Sequence, residues 1–204
     1  MRPIPSPPTL LHPGEHLHVD RARGFQVIRP VGWRVAGDAE VRATYDSRNW
    51  RRREYAPTHP IESVQLPALT LTVGPRHEPL AGDTVLIEVR HESDADWSAL
   101  DHVTALIDAS IQWVHFDAHV LEAPTSCIVQ GLPAARATMR YTVLAVAGIP
   151  ALCQAHIIVS RRGSDLIAVA VARIVDGGVS APGKTLDRLL ASLRILERAE
   201  RYSG

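Results

Sequence analysis

The 204-residue chain is poor in several residue types, and each shortage excludes something. It has two cysteines, Cys127 and Cys153, without CxxC spacing, too few for a disulfide framework. It has no run of about 18 apolar residues, so nothing in it reads as a membrane-spanning helix. The N-terminal stretch Met1-Arg2-Pro3-Ile4-Pro5 lacks the apolar core of a signal peptide, and the expected location is the cytoplasm. Lys+Arg and Asp+Glu both number 22, so net charge is zero with His neutral. That argues against a whole-protein cationic footprint for nucleic acid, a polybasic membrane binder and an acidic coat. Lysine is nearly missing: Lys184 is the only one, and every other basic residue is arginine. Neither G-x-S-x-G, nor a P-loop, nor G-x-G-x-x-G occurs.

What is present is ordinary globular composition, 46% hydrophobic and 22% charged. A chain of this length buries roughly 70% of its unfolded surface without a metal or disulfide staple. Residues 1–22 are Pro- and His-rich and aperiodic; they read as a tail or a strap lying on a single domain, 23–204.

Period-two alternation predicts strands at Phe25–Arg29, Leu69–Val73 (half-buried) and Val85–Val89. A short strand near Val41–Tyr45 is also expected, followed by a long loop over 46–65. The period then becomes helical: Trp97, Leu100, Val103, Ile107, Ile111 and Val114 recur at three- and four-residue steps. Ser93 and Asp96 have capping-box spacing at that helix's start. Further strands are expected at 118–120, ending near Pro124, and at Met139–Ala145 and 151–159. Arg161-Arg162-Gly163-Ser164 reads as a hairpin turn. Leu166–Val175 is nearly all apolar, the mark of a central strand covered on both faces. A last helix carries Leu186, Leu189, Leu190, Leu193 and Leu196 on one stripe. Strands joined by short turns make an antiparallel sheet, and a doubly covered strand needs a layer on each side. The expected fold class is α+β, an antiparallel β-sheet flanked by helices on both faces.

Three motifs carry a resemblance. Gly24-Phe25-Gln26-Val27-Ile28-Arg29-Pro30-Val31-Gly32-Trp33 resembles the opening strand of the PsbP-like superfamily. Gly131-Leu132-Pro133-Ala134 resembles its G-x-P-A stretch, and Ser192-Leu193-Arg194 its closing helix. The superfamily includes PsbP proteins, a Ran-binding nuclear-transport factor, DcrB proteins, LpqN-type lipoproteins and chaperones for secreted toxins. The resemblance spans about residues 22–197. It implies a helix-flanked sandwich and a binding role: a non-enzymatic adaptor, chaperone or accessory subunit, with a link to secretion or toxin delivery. It implies a protein partner, no cofactor and no catalytic set; a homodimer stays open.

The most distinctive local feature is Arg48-Asn49-Trp50-Arg51-Arg52-Arg53-Glu54-Tyr55. Arg48, Trp50, Arg51, Arg52, Arg53 and Tyr55 are the candidate partner-binding residues. Arginines interleaved with aromatics suit an acidic protein patch or, less well given the zero net charge, a nucleic acid. The bland alternative is a solvated loop whose Trp50 packs back on the domain. A pocket under the 46–65 loop, serving a small molecule or an uncharacterised reaction, is the competing functional reading.

Other constellations fall to simpler explanations. His115 and His119 have i,i+4 spacing but no third ligand, so no metal is expected. Glu92, Asp94, Asp96 and Asp101 suit a helix N-terminus, and the calcium-loop pattern fails at Ala99 and Ala105. Cys153 and His156 lie three apart in a strand, so their side chains should face opposite ways.

Overall fold

Alternating sequence becomes strand through most of the chain. The computed structural model describes residues 10–43, 66–76, 79–91, 97–111, 117–144, 150–176, 188–189 and 191–196. In chain order the strands are β1 (His16–Asp20), β2 (Phe25–Arg29), β3 (Arg34–Val35), β4 (Leu69–Thr72) and β5 (Thr84–His91). The helix α1 (Ala99–Ala109) follows, then β6 (His119–Val129), β7 (Leu132–Leu144), β8 (Pro150–Arg162), β9 (Asp165–Asp176) and β10 (Arg194–Ile195). Seven strands form one sheet in the order β3-β4-β5-β9-β8-β7-β6, and three form another, β1-β2-β10. Every pairing among the described residues is antiparallel.

The apolar run of β9 sits between β5 and β8, as its sequence predicts. Its side chains alternate between two cores. Ile167, Val169 and Val171 pack with Phe25, Val27, Leu71, Ile87, Leu189 and Ile195. Leu166 and Ile174 pack with Val103 and Ile107 of α1 and with Met139 and Val159. The large sheet is therefore covered by α1 on one face, and on the other by the small sheet and the helical residues near 188–192. Burying a side chain such as Phe25 or Leu71 stabilises the fold by roughly 1.5–3 kcal/mol. This is the α+β sandwich expected from the sequence.

Several local expectations need correction. All four residues of β4 are buried, not half of them: Leu69 and Leu71 enter the core, while Thr70 and Thr72 are buried as well. Thr72 Oγ1 donates to the Pro79 carbonyl at 2.5 Å and accepts the Gly74 N–H at 2.8 Å, which makes a buried threonine tolerable. A close approach holds this corner. A Cβ on Gly82 would lie 2.8 Å from the Gly74 nitrogen, so only glycine fits.

Residues 38–43 are helical, not the strand expected near Val41–Tyr45. Glu40 turns its carboxylate back onto the Gly37 N–H at 3.0 Å, and Val41 N–H donates to the Gly37 carbonyl. Helix α1 starts later than expected. Its capping box is Ser98 with Asp101, not Ser93 with Asp96; residues 92–96 lie outside the described residues. β6 continues past Pro124 to Val129, with register shifts on both sides of Glu122. The leucine stripe of the last helix breaks at Leu193. Arg194–Ile195 instead pairs with Gln26 and Phe25, and the Leu196 N–H donates to the Gly24 carbonyl.

The segment read as a tail or strap contributes β1, which pairs along its whole length with β2. The turn between them uses Gly24 at φ +76°.

Candidate partner-binding cleft

The predicted contact residues Arg48, Trp50, Arg51, Arg52, Arg53 and Tyr55 lie outside the described residues. The nearest described residues on either side are Ala43 and Leu66. Val41 before them, and Leu66 and Pro67 after them, line a cavity of about 120 Å³ together with His18, Ala36 and Asp38. Val35 is shared with a larger, open cleft of about 510 Å³, whose other lining residues are Arg29, Arg34, Gly37, Glu40 and Arg76.

Four elements converge there. Arg29 closes β2, Arg34 opens β3, Glu40 lies in the helical residues 38–43, and Arg76 follows the turn after β4. Arg34 is fixed by its whole fork. Nη1 donates to Glu40 Oε2 at 2.7 Å, Nε to the Gly74 carbonyl at 3.1 Å and Nη2 to the Pro75 carbonyl at 2.8 Å. The Arg34 hydrogen bond, followed by the Gly37 N–H, holds the Glu40 carboxyl below its ordinary value. The Arg34 and Arg76 charges act in the same direction, against desolvation.

Arg29 and Arg76 make no hydrogen bond or ion pair to a carboxylate among the described residues. Three guanidiniums thus face one carboxylate, and Glu40 is already paired. The surplus is a pair of planar, permanently charged donors at the mouth of a cleft, a geometry suited to carboxylates. None of the six lining residues is Ser, Thr, Cys, Lys or His.

The other sequence candidates do not assemble with it. His115 lies outside the described residues, and His119 is exposed on β6. Cys127 and Cys153 are free thiols; burial pushes the Cys127 thiol up, with the Arg136 charge opposing. Cys153 packs in the α1 core, whereas the His156 side chain lies on the other face against Thr138 and Gln154. Among the described residues no group of three or more His, Cys, Asp or Glu side chains is placed to hold a metal ion. No described helix is long and apolar enough to cross a membrane.

Sequence reasoning missed Arg29, Arg34, Glu40 and Arg76. Each is an unremarkable charged residue in its own segment, and only the β3–β4 pairing brings the segments together.

No protein-family profile matches the chain, and no curated protein matches it. Solved structures do. The solution structure of cyanobacterial PsbP (CyanoP) from Synechocystis sp. PCC 6803 is 12% identical, with a TM-score of 0.51 over 93% of this chain and 97% of that one. The Ran-binding protein Mog1p of Saccharomyces cerevisiae is 9% identical, with a TM-score of 0.47 over 91% and 97%. A crystal structure from Bacteroides thetaiotaomicron is 9% identical, with a TM-score of 0.45 over 91% of this chain and 49% of that one. The chain has the PsbP-like fold, an antiparallel α+β sandwich.

Proposed function

We propose that this PsbP-like domain is a non-enzymatic protein-binding module, an adaptor, chaperone or accessory subunit, that seats acidic residues of a partner in the Arg29–Arg34–Arg76 cleft. Fold alone does not fix function, so the reading rests on the site. The observation that carries it is that Arg29 and Arg76 make no hydrogen bond or ion pair to a carboxylate among the described residues, beside an Arg34 that Glu40 and two carbonyls hold rigid. A fixed guanidinium sets the shape of the cleft, and the other two supply the attraction. The run Arg48–Tyr55 joins this contact in the proposal, because its flanking residues line the adjoining cavity. Tyr, Trp and Arg are the side chains that most often anchor protein interfaces.

The test compares wild-type bait with an Arg29→Glu/Arg76→Glu double variant in quantitative affinity capture from the native lysate. A partner held by wild type and depleted at least tenfold with the variant, at unchanged melting temperature, is the expected result. Identical recoveries with both baits would defeat the reading.

A small-molecule site is the second reading, favoured by the cleft volume, which lies within the usual range of ligand pockets. Its lining is charged where such pockets are mostly apolar, which ranks it lower. Stabilisation by several degrees in a thermal-shift screen of small carboxylates, with no protein captured, would reverse the order.

A further inference from the structure

The large sheet is covered unevenly on its second face. Over β9, Val169 and Val171 are buried beneath the small sheet. One strand further on, the same face carries Gln154, His156 and Ile158 on β8, opposite Arg140, Thr138 and Arg136 on β7. Arg173 on β9 pairs with Gln154, and Glu122 on β6 pairs with Thr138. Arg136 and Arg140 are exposed, and Arg173, Leu152 and Ile158 are half-buried.

The floor of this strip is fixed. The Thr138 hydroxyl donates to Glu122 Oε2 at 2.9 Å, so it accepts the Nδ1–H of His156 at 3.0 Å. The Gln154 amide then donates to His156 Nε2 at 3.1 Å. This chain of bonds engages Glu122; a second carboxylate, Asp176, lies opposite Leu152. The guanidiniums of Arg136, Arg140 and Arg173 make no hydrogen bond or ion pair among the described residues.

We infer that this strip docks an acidic amphipathic helix of a protein partner, with carboxylates on Arg136, Arg140 and Arg173 and apolar side chains on Ile158 and Leu152. Charge complementarity chooses the occupant: three cations without an ion pair among the described residues stand against two carboxylates, one of them, Glu122 on the edge strand, already engaged. The dimensions agree. The axes of β6 and β8 are about 10 Å apart, the width of one helix. A nucleic acid fits less well. The described residues of the strip include no Phe, Tyr or Trp on which a base could stack, and they include the carboxylates of Glu122 and Asp176. This surface is separate from the Arg29–Arg76 cleft, and the inference does not depend on that reading.

The probe is a fluorescein-labelled helical peptide of Leu, Ala and Glu, about 21 residues long, with Glu at i, i+4 and i+7. A Gln-for-Glu counterpart and a duplex DNA of about 20 base pairs serve as comparisons. Anisotropy with the full chain at low salt should show the Glu peptide binding at least tenfold tighter than either. Arg136→Glu/Arg140→Glu should weaken it at least tenfold, and R136Q/R140Q several-fold. Amide shift changes should cluster at 136–142 and 152–158. No binding of the Glu peptide, equal binding of the Gln peptide, tighter binding of the DNA, or indifference to both Arg136/Arg140 variants would overturn the inference.

Discussion

Glu15 and Arg188, 173 residues apart in sequence, are joined by a two-point ion pair. Arg188 Nη2 donates to Glu15 Oε2 at 2.6 Å and to the Leu10 carbonyl at 2.9 Å, while Nε meets Oε1. The pair ties the stretch before β1 to the helical residues that cover the core. Hydrogen bonding from Arg188, against the cost of burial, lowers the Glu15 carboxyl from 4.5 to about 2.

That pairing sets an acid sensitivity. A carboxyl with a depressed folded pKa contributes stability above its unfolded value, and the contribution is lost as pH falls from 4.5 toward about 2. Calorimetry of Glu15→Gln should show a melting temperature roughly 2–4 °C below wild type at neutral pH. The gap should shrink below pH 4.5 and be nearly closed at about pH 2. A constant gap across that range would refute the pairing as its source.

Gln130 splints the β6–β7 turn to the segment that follows the described helical residues 191–192. Its amide oxygen accepts the Ile195 N–H at 3.1 Å, and its amide nitrogen meets the Leu193 carbonyl. It does so from a backbone at φ +51°, where most side chains are strained. Gln130→Ala loses the splint and keeps the strain, so urea denaturation should show a loss of about 1–2 kcal/mol. Gln130→Gly loses the splint but relieves the strain, and should be less damaging by about 1 kcal/mol.

Burial, chiefly, pushes the His156 imidazole below its ordinary value, with the Glu122 charge opposing and the Arg173 charge helping. A histidine whose folded pKa lies below 6.5 costs stability as pH falls from 6.5 toward that folded value. Wild type should therefore lose melting temperature between pH 7 and pH 5 more steeply than His156→Gln. An NMR titration of the ring should move further down in Glu122→Gln and back toward 6.5 in Arg173→Gln.

Thr72 tests the buried polar corner beneath β4. Thr72→Val preserves shape but strands the Gly74 N–H and the Pro79 carbonyl. The expected loss is about 1–3 kcal/mol by denaturant unfolding. Thr72→Ser keeps both bonds and should cost less than half as much.

Periodicity made much of this architecture legible. The apolar run 166–175 announced a doubly covered strand, and Leu100, Val103 and Ile107 announced α1. It failed where one pattern serves two structures. Val41-Arg42-Ala43 reads as strand by residue type, but Gly37 and Glu40 start a helical turn first. Leu193 and Leu196 continue a helical stripe, yet both are equally buried in an extended chain once Gln130 and Gly24 supply backbone partners. Alternation in the strand expected at Met139–Ala145 set Arg140 on the face away from Met139, but β7 begins at Leu132, and Arg136 and Thr138 on Arg140's face lie before the expected start. It could not show which half of that face another layer would cover, nor that residues 29, 34, 40 and 76 would meet, because both depend on long-range pairing. Residues 48–55, the most distinctive run in the sequence, fall outside the described structure.

β2 is flanked by an early strand on one side and by Arg194–Ile195 on the other. During synthesis, therefore, Phe25 and Val27 leave the ribosome long before Leu189, Leu193 and Ile195, the residues that share their core. Until those arrive, one oily side of the sheet stays wet and open to wrong neighbours. A nascent chain halted near residue 180 should accordingly bind holdase chaperones and be digested by protease, and should become resistant once residues 188–196 have emerged.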